Sequence, residues 1–303
     1  MLRYIGRISA IAVDTLLLAP RRRRRHLART GPYRCRTRDG LLFDLEPGQW
    51  VDHQIATYGV AERRFLELMS GLLPRDAVVV DIGANIGNHA LFLSRRVAQV
   101  HCFEPNPTAW SRLEANIAAN RIENIAVHRV GLGQDDESAR FRENIGGNLG
   151  ASGFEGAGEA LPGQRYRTVE LPIRNADRQL AELGLDRLDY IKIDVEGLEE
   201  QVLGALGQTI ARFRPMVSFE FHGHLTGIDA FDRMRELLPG YRLFELEESP
   251  DGGSLTSRIG WLLRHAARPR LNEVSEAQAR TYDNLLAVPE DSDLLGSLLP
   301  AAA

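Results

Sequence analysis

Cysteine is scarce in this 303-residue chain, which contains only Cys35 and Cys102. Two isolated cysteines build neither a disulfide framework nor a cysteine-based metal site, and such sparse usage is typical of a reducing compartment. We therefore expect a cytoplasmic protein without a metal site, in which Cys102 is a small buried residue inside an apolar stretch.

Long hydrophobic runs are also missing. Apolar residues recur at helical spacing over residues 2–16, but Arg7 and Asp14 interrupt them and Pro20 follows. Because a membrane-spanning helix needs about 20 predominantly apolar residues, this segment is too short and too charged to span a bilayer. Its pattern predicts an amphipathic helix that Pro20 ends.

Lysine is nearly absent. Of the 37 basic residues one is lysine, Lys192, and the others are arginine. An ammonium is a compact point charge, whereas a guanidinium is a wide planar fork, so the two side chains are not equivalent. In a chain that favours arginine so strongly, the single lysine indicates a position where the compact ammonium matters.

The basic residues are concentrated at the N-terminus. Residues 1–38 hold eleven arginines and one aspartate, although the whole chain has a net charge of −4. The segment 1–31 could lie on an anionic membrane surface, at the inner face of the membrane, with each arginine contributing about 1 kcal/mol. The alternative is a solvated, partly disordered tail. Nucleic-acid binding is less favoured, because few aromatic residues lie between the arginines and the rest of the chain is acidic.

Residues 78–106 carry the strongest functional signal. An apolar strand leads into a turn containing Gly83 and Gly87, then into a short helix and a second strand that ends on Glu104. The glycines allow a ligand close to the backbone, the helix N-terminus offers unpaired N–H groups, and the carboxylate suits the two hydroxyls of a ribose. This pattern predicts a nucleotide-binding βαβ unit.

The spacing within the turn indicates which cofactor binds. The dinucleotide fingerprint G-x-G-x-x-G is not met, since Asn85 and Asn88 occupy two of its small-residue positions. The chain instead has an acid, Asp81, two residues before Gly83. A carboxylate there would repel a pyrophosphate and would favour a cation, which points to the sulfonium and amino groups of S-adenosylmethionine. The alternative is that the glycines only form a tight turn in a parallel sheet.

A second group of charged residues lies in a later strand, predicted at 188–195, and in the turn that follows it. Side chains alternate along a strand, so Lys192, Asp194 and Glu196 share one face. Charges in a central strand are costly unless they are paired or bind a ligand. The residues therefore form either a structural ion pair or part of a cofactor or substrate site.

The next predicted strand, 215–222, repeats this pattern. Glu220 and His222 point the same way at its C-terminal end, where open α/β sheets bind ligands. His222 or His224 could act as a general base near neutral pH, although a lone histidine is more often structural.

Strands and helices alternate from residue 78 onward, which predicts an α/β fold with a doubly wound, mostly parallel sheet covered on both faces. Asp39-Gly40 predicts a hairpin before it. The glycine-rich stretch 144–163 predicts a loop at the ligand edge, either a substrate lid or a surface excursion. The predicted division of the chain is a basic arm at 1–38, a hairpin and helical cap at 39–75, a catalytic domain at 76–290 and a frayed tail at 291–303.

Several segments together resemble the FkbM family of class I S-adenosylmethionine-dependent methyltransferases. They are VVVDIGANIGN, FEPNP, LEANI, IKIDVEGLEEQVL and RPMVSFEFH, and the resemblance runs from about residue 40 to about residue 290. It implies a Rossmann-like sheet of seven strands, six parallel and a last antiparallel one at 282–288. It also implies O-methylation of a hydroxyl on a sugar, glycolipid or polyketide-type acceptor. The basic arm is not part of this resemblance.

The resemblance also implies roles for individual residues. The methionine end of the cofactor would be held by Asp81, Gly83, Asn85 and Gly87, the ribose by Glu104, the adenine by Pro105 and Asn106, and the methyl group would lie beside Asp194. The candidates for the base that removes the hydroxyl proton are Lys192, Glu220 and His222. A divalent metal held by Asp194 and Glu220 is disfavoured, because the expected Asp-Asn ligand pair is missing.

Two other functions remain open at this point. An RNA methyltransferase could use the arginine-rich arm, but an Asn-Pro-Pro-Tyr or Asp-Pro-Pro-Tyr motif is absent where Ile193 to Gly197 follow the strand. A non-catalytic, membrane-docked protein could retain the cofactor site without turnover.

Overall fold

The computed structural model describes residues 18–155, 163–223, 228–246, 271–276 and 280–298. The predicted amphipathic segment at 2–16, His224 and part of the glycine-rich loop lie outside the described residues. Within the described ranges, no helix is long and apolar enough to cross a bilayer.

The strands of the described chain form three sheets. In chain order the strands are β1 (Tyr33–Arg36), β2 (Leu42–Leu45), β3 (Val78–Ile82), β4 (Gln99–Phe103), β5 (Ile125–His128), β6 (Gly131–Gly133), β7 (Glu137–Asn144), β8 (Gly153–Phe154), β9 (Tyr166–Asn175), β10 (Tyr190–Ile193), β11 (Met216–His222), β12 (Tyr241–Leu246), β13 (Leu271–Glu273) and β14 (Thr281–Pro289).

Helices separate most strands of the large sheet and lie against it. They are α1 (Ala19–Leu27), α2 (Trp50–Tyr58), α3 (Arg63–Leu72), α4 (Asn88–Leu93), α5 (Pro107–Asn120), α6 (Ala176–Ala181), α7 (Glu199–Gly204), α8 (Gly207–Phe213), α9 (Ile228–Glu236) and α10 (Leu295–Leu298).

The large sheet has eight strands in the order β13-β12-β14-β11-β10-β3-β4-β5. β5, β4, β3, β10 and β11 are parallel, and β14 is antiparallel to both β11 and β12. The predicted arrangement of six parallel strands and one antiparallel strand is therefore present. The predicted count of seven is one strand short, because the three-residue strand β13 pairs with β12 at the edge.

Both faces of the sheet are buried, which confirms the doubly wound α/β fold. In β3, Val79 packs into one hydrophobic core, whereas Val80 and Ile82 pack into the other. Full burial of such a side chain contributes about 1.5–3 kcal/mol to folding. The apolar run of this strand is thus explained by its central position.

The second half of the N-terminal arm is structured, which corrects part of the prediction for it. Pro20 lies in the first turn of α1 and begins a helix that includes the arginine run, because proline is favoured at that position. His26 is buried, and its Nδ1 lies 2.7 Å from the hydroxyl of Tyr33. Arg22 donates to the carbonyl of Thr57 in α2 at 2.6 Å. Residues 18–27 are therefore not a solvated, disordered tail.

Residues 131–175, which include much of the predicted glycine-rich loop, contain a smaller sheet with the order β6-β9-β7-β8 that was not predicted from the sequence. β7 and β9 pair along their whole facing length. Both strands are rich in charged, partly exposed residues, so they lack the apolar run that reveals the strands of the large sheet.

The end of the described chain is also ordered. Leu294 and Leu295 pack against the hydrophobic core, and α10 begins at Leu295. The predicted frayed tail is therefore wrong for residues 291–298, and residues 299–303 lie outside the described chain. The division into arm, cap and catalytic domain stays a prediction.

Candidate active site

The glycine turn after β3 brings two strands of the large sheet close together. Gly83 has a φ of +81°, and a Cβ atom there would lie 1.7 Å from the carbonyl oxygen of Asp194. Any larger residue would push β3 away from the end of β10. Gly87, with a φ of +89°, instead faces Leu91 and Leu113, where a Cβ would meet each side chain at 2.5 Å. Gly87 thus allows close packing against these two leucines, and its predicted contact with the cofactor stays a prediction.

Glu104 lies at the end of β4, as predicted, and its carboxylate is fixed by the backbone. Its Oε1 accepts a hydrogen bond from the N–H of Asn106 and its Oε2 accepts one from Asn85, both at 2.9 Å. Burial raises the pKa of Glu104 to about 7, against the effect of these two bonds. The Asn106 side chain caps α5 by accepting from the N–H of Thr108.

A small cavity of about 80 Å³ lies beside Glu104. Gly83, Asn85 and Pro105 line it together with Glu104 and Asn106. Its other wall is apolar and comes largely from the second sheet and the segment after β7, through Phe141, Leu149 and Phe154. The described part of the glycine-rich loop therefore covers this edge of the sheet.

A larger cavity of about 530 Å³ adjoins the first, since Asn85, Asp194 and Glu196 line both. The predicted catalytic residues Lys192, Asp194, Glu220 and His222 all line this larger cavity. These four residues come from β10, from the turn after β10 and from β11, and the fold brings them together at one cavity.

Lys192 is 4% exposed and lies between two carboxylates. Its Nζ donates to Oδ2 of Asp194 at 2.8 Å and lies 3.8 Å from Oδ1 of Asp81. Burial lowers the pKa of Lys192, but Asp194, Asp81 and Glu62 outweigh it, so the pKa is raised overall. A lysine held protonated cannot accept a proton, and the structure does not support Lys192 as the base.

Asp81 lies beneath Lys192 and lines neither of the two cavities. Its two carboxylate oxygens are buried and accept no hydrogen bond within the described residues. Asp81 acts on Lys192 through its charge, and its predicted contact with the methionine end of the cofactor stays a prediction.

Glu220 and His222 form the pair that their alternation on β11 predicted. Nε2 of His222 lies 3.3 Å from Oε1 of Glu220, and Nδ1 lies 3.2 Å from the hydroxyl of Thr281. The contact with Glu220 raises the pKa of His222, and burial raises the pKa of Glu220. Within the described residues, no three potential ligands are grouped in a way that could hold a metal ion.

Two acids at the site were not predicted from the sequence. Glu199 at the start of α7 accepts hydrogen bonds from the N–H groups of Val195 and Gly197 at 3.0 and 3.1 Å, and so fixes the turn that carries Glu196. Desolvation beside the cavity and the neighbouring carboxylates raise the pKa of Glu196, although the residue is exposed. Glu62, from the loop before α3, lines the larger cavity. Acidic residues are common at the starts of helices, so the sequence does not mark Glu199 and Glu62 as site residues. Their place at the site is seen only in the folded chain.

Residues 81–243 match the family model described as the methyltransferase FkbM domain, which is more than half of the chain. The chain belongs to the FkbM methyltransferase family. This FkbM methyltransferase therefore uses S-adenosylmethionine as its cofactor, which confirms the resemblance read from the sequence.

Relatives of this methyltransferase differ in length and in the function that their names give. The AMB antimetabolite synthetase AmbE of Pseudomonas aeruginosa is 32% identical over 201 residues, which cover 55% of this chain and 9% of AmbE. The 2-O-methyltransferase NoeI of Sinorhizobium fredii is 26% identical over 160 residues, covering 49% and 65% of the two chains. The methyltransferase FkbM structure from Methylobacillus flagellatus KT has a TM-score of 0.45 at 19% identity, covering 78% of this chain and 52% of that one. The matched part spans less than two thirds of each relative.

Proposed function

We propose that this enzyme transfers the methyl group of S-adenosylmethionine to a hydroxyl of a sugar, glycolipid or polyketide-type acceptor. The observation that carries this proposal is the Glu220 and His222 pair, which lines the same cavity as Asn85 and Asp194. A hydroxyl is a weak nucleophile until a base takes its proton, so a base beside the methyl donor is what O-methylation requires. The relative NoeI, named a 2-O-methyltransferase, supports the same chemistry.

The two cavities fit the two ends of the cofactor. The smaller one has a fixed carboxylate at Glu104 opposite the apolar wall, which suits the ribose and the adenine. The larger one has a carboxylate at Asp194, which suits a positive charge. When bound, S-adenosylmethionine supplies an electrophilic methyl group on a cationic sulfur.

Glu220 is the better base of the two paired residues. Both ring nitrogens of His222 already have polar neighbours, whereas only Oε1 of Glu220 lies against His222. The raised pKa of Glu220 makes its carboxylate more basic than an exposed one. Glu220 thus accepts the proton of the acceptor hydroxyl, while His222 holds Glu220 in place. Lys192 orients Asp194 through its hydrogen bond.

Labelled methyl transfer to a panel of acceptors tests this function. The purified full chain would be incubated with methyl-labelled S-adenosylmethionine and with sugars, glycolipids, hydroxylated polyketides and RNA. Label in a stable methyl ether is the expected product. Transfer to RNA bases would instead establish the nucleic-acid alternative, and cofactor binding without transfer to any acceptor would favour the non-catalytic one.

The substitution Glu104→Ala should weaken S-adenosylmethionine binding by about 1–3 kcal/mol, because it removes charge-assisted hydrogen bonds to the ribose. Calorimetric titration measures this loss, and an unchanged affinity would contradict the ribose assignment. Since the pKa of Glu104 is about 7 and the ionised form is the acceptor, wild-type affinity should also fall as the pH drops below that value. Glu104→Ala should lack this pH dependence.

We propose further that α1 attaches the enzyme to an anionic membrane surface. Arg23, Arg24 and Arg25 are exposed on this helix, and large apolar side chains are exposed on α1 and on α2, against which α1 packs. These apolar residues are Leu18 at 40%, Leu27 at 58%, Trp50 at 59% and Tyr58 at 42% exposure. Exposed arginines beside exposed apolar side chains are typical of interfacial helices. Trp50 also lines the larger cavity, which would place a glycolipid acceptor near the site.

Replacing Arg23, Arg24 and Arg25 by alanine should therefore reduce binding to liposomes that contain anionic lipid, and added salt should have a similar effect. Co-sedimentation measures the bound fraction. The matched control replaces three exposed arginines elsewhere, Arg75, Arg121 and Arg165, with the same loss of charge. Equal binding of both triple variants, or no binding of the wild type at low salt, would contradict the proposal.

A further inference from the structure

Two acids of the larger cavity have a left-handed backbone, Glu62 with a φ of +51° and Glu196 with a φ of +57°. This region is sterically unfavourable for a residue that has a side chain. Glu62 immediately precedes α3, yet its side chain does not cap that helix. Glu62 lines the larger cavity and also a cavity of about 480 Å³ that includes Glu245 and Arg280.

Residues of the cofactor turn hold the segment that carries Glu62. The side chain of Asn88 accepts a hydrogen bond from the N–H of Ala61 at 2.8 Å and donates to its carbonyl at 3.2 Å. Nε2 of His89 lies 3.3 Å from Oε2 of Glu62. Because Asn88 and His89 directly follow Gly87, the turn itself fixes the position of Glu62.

The carboxylate is held in its charged form. Nδ2 of Asn284 donates to Oε2 at 2.6 Å, so both neighbours contact the same oxygen. In the described parts of the chain, Oε1 of Glu62 accepts no hydrogen bond. Burial raises the pKa of Glu62, but His89, Lys192 and Asn284 outweigh it and lower the pKa to about 2. Glu62 thus presents an ionised oxygen to the cavity.

Two of the other acids in this cavity already have partners. Asp194 accepts a hydrogen bond from the ammonium of Lys192, and Glu220 contacts His222. Glu62 also lines the same cavity as Asn85, which belongs to the cofactor turn. An ammonium ligand at the methionine end of the site can therefore pair with the carboxylate of Glu62, since an ammonium donates three hydrogen bonds and carries a full positive charge.

We propose that Glu62 binds the α-ammonium group of the methionine moiety of S-adenosylmethionine. The inference rests on the proposed cofactor site and adds one residue to it. The adenosine lies in the smaller cavity beside Glu104, and the amino-acid end extends into the larger cavity toward Glu62. Asn88 and His89 act as positioning residues for this contact.

Two adenosine ligands isolate the contact. S-adenosylhomocysteine and 5′-methylthioadenosine share the nucleoside and a neutral thioether, and only the first carries the α-amino acid. Glu62→Gln should lower the affinity for S-adenosylhomocysteine, measured by calorimetry, by roughly tenfold to hundredfold. This is the loss expected for a hydrogen bond between charged groups. Its affinity for 5′-methylthioadenosine should be unchanged. S-adenosyl-3-thiopropylamine, which keeps the amine and lacks the carboxylate, should lose affinity as S-adenosylhomocysteine does.

Two further variants serve as controls. Glu104→Ala should weaken the binding of all three ligands, because each has the ribose. Glu245→Gln, in the cavity of about 480 Å³ that Glu62 also lines, should weaken the binding of none. Thermal denaturation without ligand checks that each variant is folded. Unchanged binding of S-adenosylhomocysteine to Glu62→Gln would overturn the inference, as would an equal loss for 5′-methylthioadenosine or a loss that spares the thiopropylamine. If the wild type bound none of the ligands, the proposed cofactor site itself would be refuted.

Discussion

Glu220→Gln should lower kcat by about 100-fold or more, which is the usual contribution of a positioned general base. Glutamine keeps the size of the side chain and its contact with His222, but it cannot take up the hydroxyl proton. The affinity for S-adenosylmethionine should change little, because Glu104 and the glycine turn are untouched. Steady-state kinetics on the acceptor found in the labelling experiment, together with calorimetry on the cofactor, measure the two effects.

The pH profile separates a base from a merely structural acid. Only ionised Glu220 accepts a proton, so the wild-type rate should fall as the pH drops through the raised pKa of Glu220. Glu220→Gln should lose this acidic limb, whereas His222→Asn should keep it at a shifted pH. The control Glu200→Gln removes an acid that is paired with Arg233 outside the larger cavity. If Glu220→Gln kept the wild-type rate and pH profile, Glu220 would not be the base.

Lys192→Arg should lower turnover at least about tenfold, which corresponds to roughly 1.4 kcal/mol in the barrier. The ammonium fits between Asp81 and Asp194 as a compact charge. A guanidinium is larger and planar, so it would displace Asp194 from its place in the cavity. Folding stability should change much less, because the positive charge between the two acids is retained.

Lys192→Met removes the charge and keeps most of the apolar stem. It leaves buried Asp81 and partly exposed Asp194 without a cation. Removing one partner of a buried pair is expected to destabilise the fold by about 3–5 kcal/mol, and the contact with Asp81 is of that kind. Thermal denaturation and kinetics on both variants distinguish the two roles. If both variants lowered Tm but kept normal turnover once folded, Lys192 would be structural only.

The central sheet was predictable because its strands are buried on both faces. Val78–Ile82 is an apolar run that ends at a glycine, and such a run can be read without the structure. β7 and β9 were missed because they lie in a smaller sheet and carry charged side chains along their exposed faces. A local pattern cannot show that such strands pair with each other.

The candidate site was predictable to the extent that it depends on the ends of strands. Glu104, Asp194 and Glu220 could be placed at one edge, because parallel strands of a sheet end together. Gly87 could not be distinguished from Gly83 until the position of Leu113 was known. Glu62 gave no local signal, since contacts from His89 and Asn284 place it, and Asn284 is more than two hundred residues away.

Lys192 is also useful as an isotopic reporter. Since the chain has a single lysine, protein grown with lysine labelled at its side-chain nitrogen would give one ammonium signal in a nuclear magnetic resonance spectrum. Burial of this ammonium between Asp81 and Asp194 protects its hydrogens from exchange with water. The resonance would therefore report directly on the larger cavity, which Lys192 lines. Binding of each added adenosine ligand or acceptor could be followed by the change in its chemical shift.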